Sequence, residues 1–222
     1  MRIENYGVAL HSLQQEDIEL VRTWRNENRV RLNMVYQKVI SPEEQLVWYN
    51  SLNSTNDFYF ILKHNDVPVG LINLKKINWT KRKADSGIFI GNKSYFNSTI
   101  PVIAAILLSE FAFYVINLKV LCSTTLAKNK KAVALDKQLG FTAVNDIKQE
   151  VINTQCTIEG FEKSTMRLRQ SLHNKFGNEM TISCIPDAML PLISKRHSKS
   201  LKLQEQNPSS PQITIKVKAI RT

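Results

Sequence analysis

The segment Ala84-Asp85-Ser86-Gly87-Ile88-Phe89-Ile90-Gly91 is followed by a polar loop, Asn92 to Thr99, and by an apolar run from Pro101 to Asn117. β-Branched and aromatic residues that end at a Gly-Asn pair are typical of a strand and its turn. Proline suits the first turn of a helix, so the run predicts a buried helix starting near Pro101. The N-terminus of that helix is a natural anion site. A crossover helix without a ligand is the simpler interpretation of this stretch alone.

Length and composition predict an ordinary globular protein. The chain has 222 residues, of which 43% are hydrophobic and 22% are charged; this suits one domain with an appendage, or two small domains. The longest apolar run, Ile100 to Leu108, is far shorter than the roughly 18 residues that a membrane span needs. The first residues lack the apolar segment of a secretory signal. We therefore expect no membrane span and a cytoplasmic location.

Cysteine and histidine usage supports the same expectation. Cys122, Cys156 and Cys184 are odd in number and far apart, without a C-x-x-C pair, which is typical of reduced thiols in a cytosolic protein. The four histidines are equally scattered, so no local spacing of metal ligands exists. The sequence therefore predicts no metal site.

The strongly basic charge balance narrows the class of partner. Thirty Lys and Arg against nineteen Asp and Glu give a formal net charge of +11, which favours nucleotides, coenzyme phosphates or other polyanions. The residues after Gln170 do not interleave aromatic with basic side chains. We therefore expect a small phosphorylated ligand rather than nucleic acid. A well-solvated surface is the alternative explanation of the charge.

The other segments predict an α/β plan with a mixed sheet, in the order β α α β β β α β α β β. The supporting segments are a first strand at Tyr6–Leu13, a helix at Gln15–Asn26, a capped helix start at Ser41-Pro42-Glu43-Glu44, a hairpin from Phe58 to Ile77, a helix at Asn129–Leu139, and a closing antiparallel pair formed by Val151–Cys156 and Ser164–Leu168. The Ser-Pro-Glu-Glu motif is a particularly specific start signal, because Ser caps the helix and Glu completes the capping box.

A basic stripe lies on the helix predicted at Gln15–Asn26 and just beyond it. Arg22, Arg25 and Arg29 follow one another at i, i+3 and i+7. Such a stripe is usually a solvated face. The alternative is that Arg25 or Arg29 meets a nucleotide phosphate through its planar guanidinium.

Three segments together resemble one enzyme superfamily. They are Trp24-Arg25-Asn26, the strand Ala84–Ile90, and Asn129–Phe141, which is similar to the pattern N-x-x-A-x-x-L-Y-x-x-x-G-F. In this order they resemble the GNAT-type, acetyl-CoA-dependent N-acetyltransferases, over the stretch from Tyr6 to about Arg169. The resemblance implies a GNAT fold, with a mixed, mostly antiparallel central sheet flanked by helices. It divides the chain into an acetyltransferase domain, 1–169, and a basic C-terminal extension, 170–222, that is partly disordered or docks.

Within that superfamily the chain looks most like one bacterial subgroup, which acetylates the 4-amino group of UDP-linked aminodeoxy sugars on the way to pseudaminic acid. The resemblance lies in the Trp-Arg-Asn helix, the Ser-Pro-Glu-Glu helix and the connection Asn78-Trp79-Thr80. It implies an enzyme of surface-polysaccharide or nonulosonic-acid synthesis that takes acetyl-CoA and a nucleotide-sugar acceptor and that can form a homodimer. The next resemblance is to the ribosomal-protein N-terminal acetyltransferases.

Two positions depart from the superfamily pattern. Where its coenzyme loop reads Arg/Gln-x-x-Gly-x-Gly/Ala, this chain has Phe96-Asn97-Ser98-Thr99-Ile100-Pro101, which lacks a glycine at Thr99 and one backbone donor at Pro101. A tyrosine that often protonates the leaving thiolate is replaced by Asp136, and an ionised aspartate cannot donate a proton. A domain that binds without catalysing is therefore an alternative to the enzyme.

The resemblance also implies which residues bind the coenzyme. The backbone of Ile88, Phe89 and Ile90 would lie along its arm and polarise the acetyl carbonyl. The loop residues Phe96, Asn97, Ser98 and Thr99 would lie at its diphosphate. Asn129 would hold the pantetheine or an ordered water, or simply cap its helix.

The remaining predicted site residues concern the reaction and the acceptor. Asp85 is the hypothetical general base that deprotonates the amine, and an ion pair with Lys81, Arg82 or Lys83 is the competing explanation. Arg25 is predicted to contact the acceptor phosphates; a salt bridge to Glu27 or Asp57 is its alternative. Thr80 and Tyr95 complete the predicted acceptor site.

Overall fold

One ten-stranded sheet organises the part of the chain that the computed structural model describes, which is residues 1–144, 150–186, 190, 193 and 214–218. The strands are β1 (Arg2–Asn5), β2 (Val8–Ser12), β3 (Phe58–His64), β4 (Val67–Asn78), β5 (Lys83–Ile90), β6 (Val120–Leu126), β7 (Thr142–Ala143), β8 (Val151–Thr157), β9 (Glu179–Ser183) and β10 (Thr214–Lys218). Their order is β10-β9-β1-β2-β3-β4-β5-β6-β8-β7. Only the β5–β6 and β9–β10 pairs in this sheet are parallel, so the predicted mixed, mostly antiparallel sheet is confirmed.

Helices cover both faces of the sheet. They are α1 (Ile18–Asn26), α2 (Asn28–Arg31), α3 (Pro42–Asn50), α4 (Ile100–Glu110), α5 (Lys130–Gln138) and α6 (Ile158–Phe176). A π-helical turn, Phe111–Val115, extends α4. The predicted capping box is present at α3, where Glu44 N–H donates to the Ser41 hydroxyl at 3.2 Å and Ser41 N–H donates to the Glu44 carboxylate at 2.8 Å.

Strand alternation divides the core into two layers. Phe60 on β3, Ile72 on β4 and Ile88 on β5 are paired across the sheet and face α4, whose residues from Ile103 to Glu110 are all buried. The opposite face of the same strands carries Ile61 and Leu71, which pack under α1 and α3. The central sheet is therefore enclosed between α4 and the α1–α3 layer.

A buried polar network fastens the helices behind the sheet. Arg169 on α6 donates to Glu110 on α4 at 2.7 Å, and both side chains are fully buried. The Tyr6 hydroxyl donates to the same carboxylate at 3.0 Å and lies 2.8 Å from Nε2 of His173. Because a charge in the core is costly without its partner, this network ties α4, α6 and the N-terminal hairpin together.

The structure corrects the sequence-based secondary structure in two places. The strand predicted at Tyr6–Leu13 contains β2, but β1 was missed; Tyr6 and Gly7 both take positive φ angles and form the turn between β1 and β2. The predicted strand Ser164–Leu168 lies inside α6. Thr157 caps that helix by accepting from Gly160 N–H at 3.2 Å, so the stretch between the two strands predicted there is a helix start.

The described residues beyond Arg169 continue the main fold. α6 runs on to Phe176, and β9 pairs antiparallel with β1. Met180 and Ile182 of β9 are fully buried. The boundary predicted at 169 therefore falls within a helix, and the domain division stays a prediction. The partial disorder predicted for the extension concerns in part residues outside the described ranges, among them 194–213.

Within the described ranges, no helix is long and apolar enough to cross a membrane. The same residues contain no group of three or more His, Cys, Asp or Glu side chains that could hold a metal ion.

Candidate active site

The centre of the site is a separation between two parallel strands. β5 pairs with β6 only from Lys83 to Asp85, where its register ends at Cys122, whereas its pairing with β4 continues to Ile90. On its other side, β6 pairs with β8 throughout its length, from Val120 to Leu126. The central strand β5 thus splays away from β6, and the two strands form the walls of a cleft of about 710 Å³.

Backbone alternation shows which amides face this cleft. Gly91 N–H donates to Val69 of β4 at 2.9 Å, so in an antiparallel ladder the N–H groups of Phe89 and Gly87 also point toward β4. The N–H groups of Ile88 and Ile90 point the other way, into the separation from β6. Ile88 and Ile90 thus fit the predicted backbone role along an extended arm. Phe89 does not, because its amide belongs to the β4–β5 ladder.

The start of α4 differs from the predicted phosphate cradle. Ile100 N–H donates to the Ser98 hydroxyl at 3.3 Å, and the N–H groups of Val102 and Ile103 both donate to the Thr99 carbonyl at 3.1 Å. Pro101 has no N–H to offer. Because the first-turn donors already have partners, the expected free anion site at this helix terminus is wrong.

Cations surround the loop before α4 instead. Lys131, in the first turn of α5, donates to the Asn97 side chain at 2.6 Å and lies 4.0 Å from the Phe96 ring centre. The guanidinium of Arg29 lies 5.7 Å from the same ring, and its buried Nη1 has no partner. Phe96, Asn97, Ser98 and Thr99 do not line the cleft. The charges of Arg29 and Lys131 are therefore the features of this loop that fit a diphosphate.

A polar pocket opens from the cleft on the α1–α3 face of the sheet. Asn73 of β4 stands opposite Gly87 of β5, and Lys75 stands opposite Asp85. A Cβ atom at Gly87 would come within 3.3 Å of the Asn73 carboxamide oxygen, so glycine keeps this junction open. The other wall of the pocket consists of Arg25, Gln45, Trp48 and Tyr59.

The predicted basic stripe holds a loop over this pocket. Arg22 donates to the Ile40 carbonyl at 3.1 Å, and Arg25 donates to the Tyr36 carbonyl at 3.4 Å. Arg31 donates to the carbonyl of Gln37 at 2.8 Å. The stripe is thus not a purely solvated face, because its members Arg22 and Arg25, with the neighbouring Arg31, fasten residues 36–40 at the pocket mouth.

Arg25 has a free donor in spite of this contact. Its guanidinium lies 5.9 Å from the Phe89 ring centre, and its buried Nη1 has no hydrogen-bond partner. Burial lowers the pKa of Arg25, since no carboxylate offsets the loss of solvation. The alternative salt bridges are not formed: Glu27 pairs with Arg29 at 2.6 Å, and Asp57 accepts from backbone N–H groups.

Asp85 lines the same pocket at the narrow end of the cleft. Its carboxylate lies 3.9 Å from Nζ of Lys76, whose side chain is largely exposed. The ion pair that was the competing explanation for Asp85 is formed by Lys76 and not by the predicted cations. Arg82, for example, donates to the Asn117 carbonyl instead. An exposed pair at this distance is weak, so the Asp85 carboxylate is available to a neighbouring amine.

Asn129 caps its helix and also lines the cleft. Its side-chain oxygen caps α5 by accepting from Ala132 N–H at 3.2 Å. Its amide group donates across the cleft to the Asn33 carbonyl at 3.3 Å. The helix cap is thus confirmed, while a role toward a pantetheine or water stays a prediction.

Asp136 lies deep in the cleft wall among hydroxyl groups. Its carboxyl accepts from the hydroxyls of Thr125 at 3.4 Å and Thr154 at 3.3 Å. Burial raises the pKa of Asp136, and hydrogen bonds from Ser123, Thr154 and Thr125 offset this only in part. Burial therefore disfavours the ionised form of Asp136 that the sequence suggested.

We expect Asp136→Asn to stabilise the fold at pH 8. An acid whose pKa is raised by folding loses stability as the pH rises from its unfolded pKa of 3.8 through the folded value. The variant lacks this loss, so its free energy of unfolding should exceed wild type by roughly 1 kcal/mol at pH 8 and converge with it near pH 4. Urea titrations at both pH values measure this, and a constant difference across the pH range would contradict it.

Two predicted acceptor residues lie away from the pocket. Thr80 is exposed in the turn between β4 and β5, and Tyr95 packs its ring edge-on against His64 with centroids 5.6 Å apart. Neither lines the cleft, so the structure does not bring them together with Arg25 and Asp85. Gln45 and Asn73, which the sequence analysis missed, do line it; ordinary polar residues in a helix and a strand carry no motif.

A parallel strand pair that separates at the centre of a mixed sheet, with outward-facing amides and a polar pocket alongside, defines the coenzyme-binding architecture of an acyl-transferring enzyme. The acetyltransferase (GNAT) domain model matches residues 8–142. The chain belongs to this family and is an acetyl-CoA-dependent N-acetyltransferase.

Comparison with known proteins gives several distant relatives. Spermidine N(1)-acetyltransferase of Escherichia coli K12 is 24% identical over 148 residues, which are 65% of this chain and 78% of that protein. A spermidine N-acetyltransferase from Vibrio cholerae in complex with CoA and spermine has a TM-score of 0.63 at 19% identity, covering 71% of this chain and 99% of that one. The apo form of FdhC, a nucleotide-linked sugar GNAT, has a TM-score of 0.64 at 19% identity, covering 78% and 98%.

Proposed function

We propose that this enzyme acetylates the amino group of a nucleotide-linked aminodeoxy sugar. The observation that carries the proposal is the buried Nη1 of Arg25, a cationic donor without a partner on a residue that lines the pocket. Planar guanidinium groups favour phosphate and carboxylate. Lys75 and Lys76 also line this pocket, so its charge suits an anionic acceptor. FdhC, with a similar fold, is described as a nucleotide-linked sugar GNAT.

The chain's own residues supply the remaining requirements of acetyl transfer. Bound acetyl-CoA supplies an acetyl group activated as a thioester. The N–H groups of Ile88 and Ile90 donate toward the cleft, and Asp85 accepts the proton of the acceptor amine. The pocket and the cleft meet at Gly87, so the acceptor amine reaches the acyl-bearing end directly.

A polyamine is the second candidate acceptor. The named spermidine acetyltransferases have a similar fold and a detectable sequence relationship, and Glu44 and Asp85 place carboxylates on the cleft. However, Glu44 already accepts from Ser41 N–H within the capping box. The cations Arg25, Lys75 and Lys76 on the cleft outnumber its two remaining carboxylates, Asp85 and Asp136, and would repel a polycation.

Thiol release from acetyl-CoA with three acceptors tests the proposal. The acceptors are a UDP-linked 4-amino-4,6-dideoxy sugar, spermidine, and a peptide with a free N-terminus. We expect the UDP-linked sugar to have the highest kcat/KM, and Arg25→Met to raise its KM at least tenfold, the equivalent of about 1.4 kcal/mol. Spermidine or the peptide turning over faster than the sugar, with no effect of Arg25→Met, would refute the proposal.

A further inference from the structure

Unused hydrogen-bond donors are concentrated on the acceptor pocket. In the part of the chain that the structure describes, eight buried side-chain nitrogens have no hydrogen-bond partner, and three of them line this cleft. They are Nη1 of Arg25, Nε2 of Gln45 and Nδ2 of Asn73. Because buried polar groups in native proteins are nearly always bonded, a cluster of unpartnered donors on one cavity indicates a ligand that supplies acceptors.

The three donors come from separate elements that the fold fixes. Gln45 lies on α3, is only 3% exposed, and directly follows Glu44, the last residue of the capping box. Asn73 stands opposite Gly87, beside the point where β5 leaves β6. Arg25 projects from α1 over Phe89. The donors therefore surround the pocket from its helical roof and its sheet floor.

We infer that Asn73 and Gln45, beside the proposed phosphate ligand Arg25, form a donor subsite that recognises oxygen atoms of the acceptor close to its reacting amine. This rests on the proposed function and deepens it, since it assigns the specificity for the sugar part of the acceptor. Hydroxyl and ring oxygens of an amino sugar satisfy such donors. A protonated polyamine cannot, because its nitrogens only donate.

The position of Asn73 connects this subsite to the reaction. Gly87, directly across the strand pair, has no side chain to shield the Asn73 amide from the cleft. Asp85, the proposed base, is two residues along the same face of β5. An amine near Asp85 therefore brings the substituent on its neighbouring carbon toward Asn73.

A pair of simple amines tests the subsite without a nucleotide. Transfer from acetyl-CoA to trans-2-aminocyclohexanol and to cyclohexylamine is compared by thiol release, because these acceptors differ by one hydroxyl next to the amino carbon. We expect wild type to favour the hydroxylated amine at least roughly tenfold in kcat/KM, as for one well-placed hydrogen bond. Asn73→Leu and Gln45→Met should bring the ratio close to one.

Two further variants make the result specific. Gln45→Glu keeps the oxygen and removes the donor, so it should lose the preference as Gln45→Met does. Gln170→Met, on the exposed face of α6, should keep it; unchanged thermal midpoints show that the variants are folded. Equal transfer to both amines by wild type, no transfer to either, or a preference that survives both pocket substitutions would overturn the inference. The proposed function fails separately, if the UDP-linked sugar reacts no faster than the free hydroxylated amine.

Discussion

Asp85→Asn should lower kcat for acetyl transfer by about 10²–10⁴-fold, because the variant removes the carboxylate that takes the amine proton. Asp85 lines the pocket beside Asn73 and Gly87, and its ion pair with Lys76 is long, at 3.9 Å. The amide is nearly isosteric, so acceptor binding should change little and the loss should appear in kcat. Initial rates of thiol release across pH 6–9.5 measure it, and the deficit should shrink at high pH as more acceptor amine is already neutral.

Asp66→Asn is the matched control for this substitution. Asp66 is exposed in the β3–β4 turn with a positive φ angle, a conformation that asparagine also adopts readily. It should retain wild-type kcat. Full turnover by Asp85→Asn, or equal losses in both variants, would show that Asp85 is not the base.

Glu110→Gln should destabilise the fold by about 3–5 kcal/mol, the usual cost of leaving one member of a buried ion pair without its partner. Arg169 and Glu110 are both fully buried and 2.7 Å apart. The substitution leaves the Arg169 charge in the core and also weakens the bond from the Tyr6 hydroxyl. Urea unfolding followed by tryptophan fluorescence measures the change in the free energy of unfolding.

Glu4→Gln provides the comparison for an exposed pair. Glu4 binds Arg2 at 2.6 Å, but both side chains are more than one-third exposed. Its loss should cost less than about 1 kcal/mol. If Glu110→Gln cost no more than Glu4→Gln, the buried network would not be what fastens α4 to α6.

The architecture around β5 could be predicted from sequence because each step has a local cause. The Gly91-Asn92 pair ends the strand, Pro101 starts a helix, and Asn129 caps the next one. The N-terminal hairpin was missed because Tyr6 takes a positive φ angle, which side chains other than glycine rarely adopt. α6 was missed because its buried face includes Thr165 and Arg169, polar residues that hide its helical period.

The site was predicted less completely than the fold. Asp85, Arg25 and Asn129 reach the cleft as expected, since they sit at the ends of predicted elements. Gln45 and Asn73 become site residues only when α3 is laid over β4, which no local pattern encodes. Arg22 and Arg25 of the arginine stripe likewise meet their partners, the carbonyls of Ile40 and Tyr36, only because of the path that the loop takes. The roles of these residues, a homodimer and a cytoplasmic location stay predictions.

The central claim is that acetyl-CoA occupies the separation between β5 and β6. Amide hydrogen exchange with and without saturating CoA tests it directly, because the N–H groups of Ile88 and Ile90 have no strand partner there. We expect slower exchange in the peptides that cover 86–90 and 123–126, with the distant β9 strand, 179–183, unchanged. Unaltered exchange in both cleft peptides, while CoA protects another part of the chain, would contradict the account.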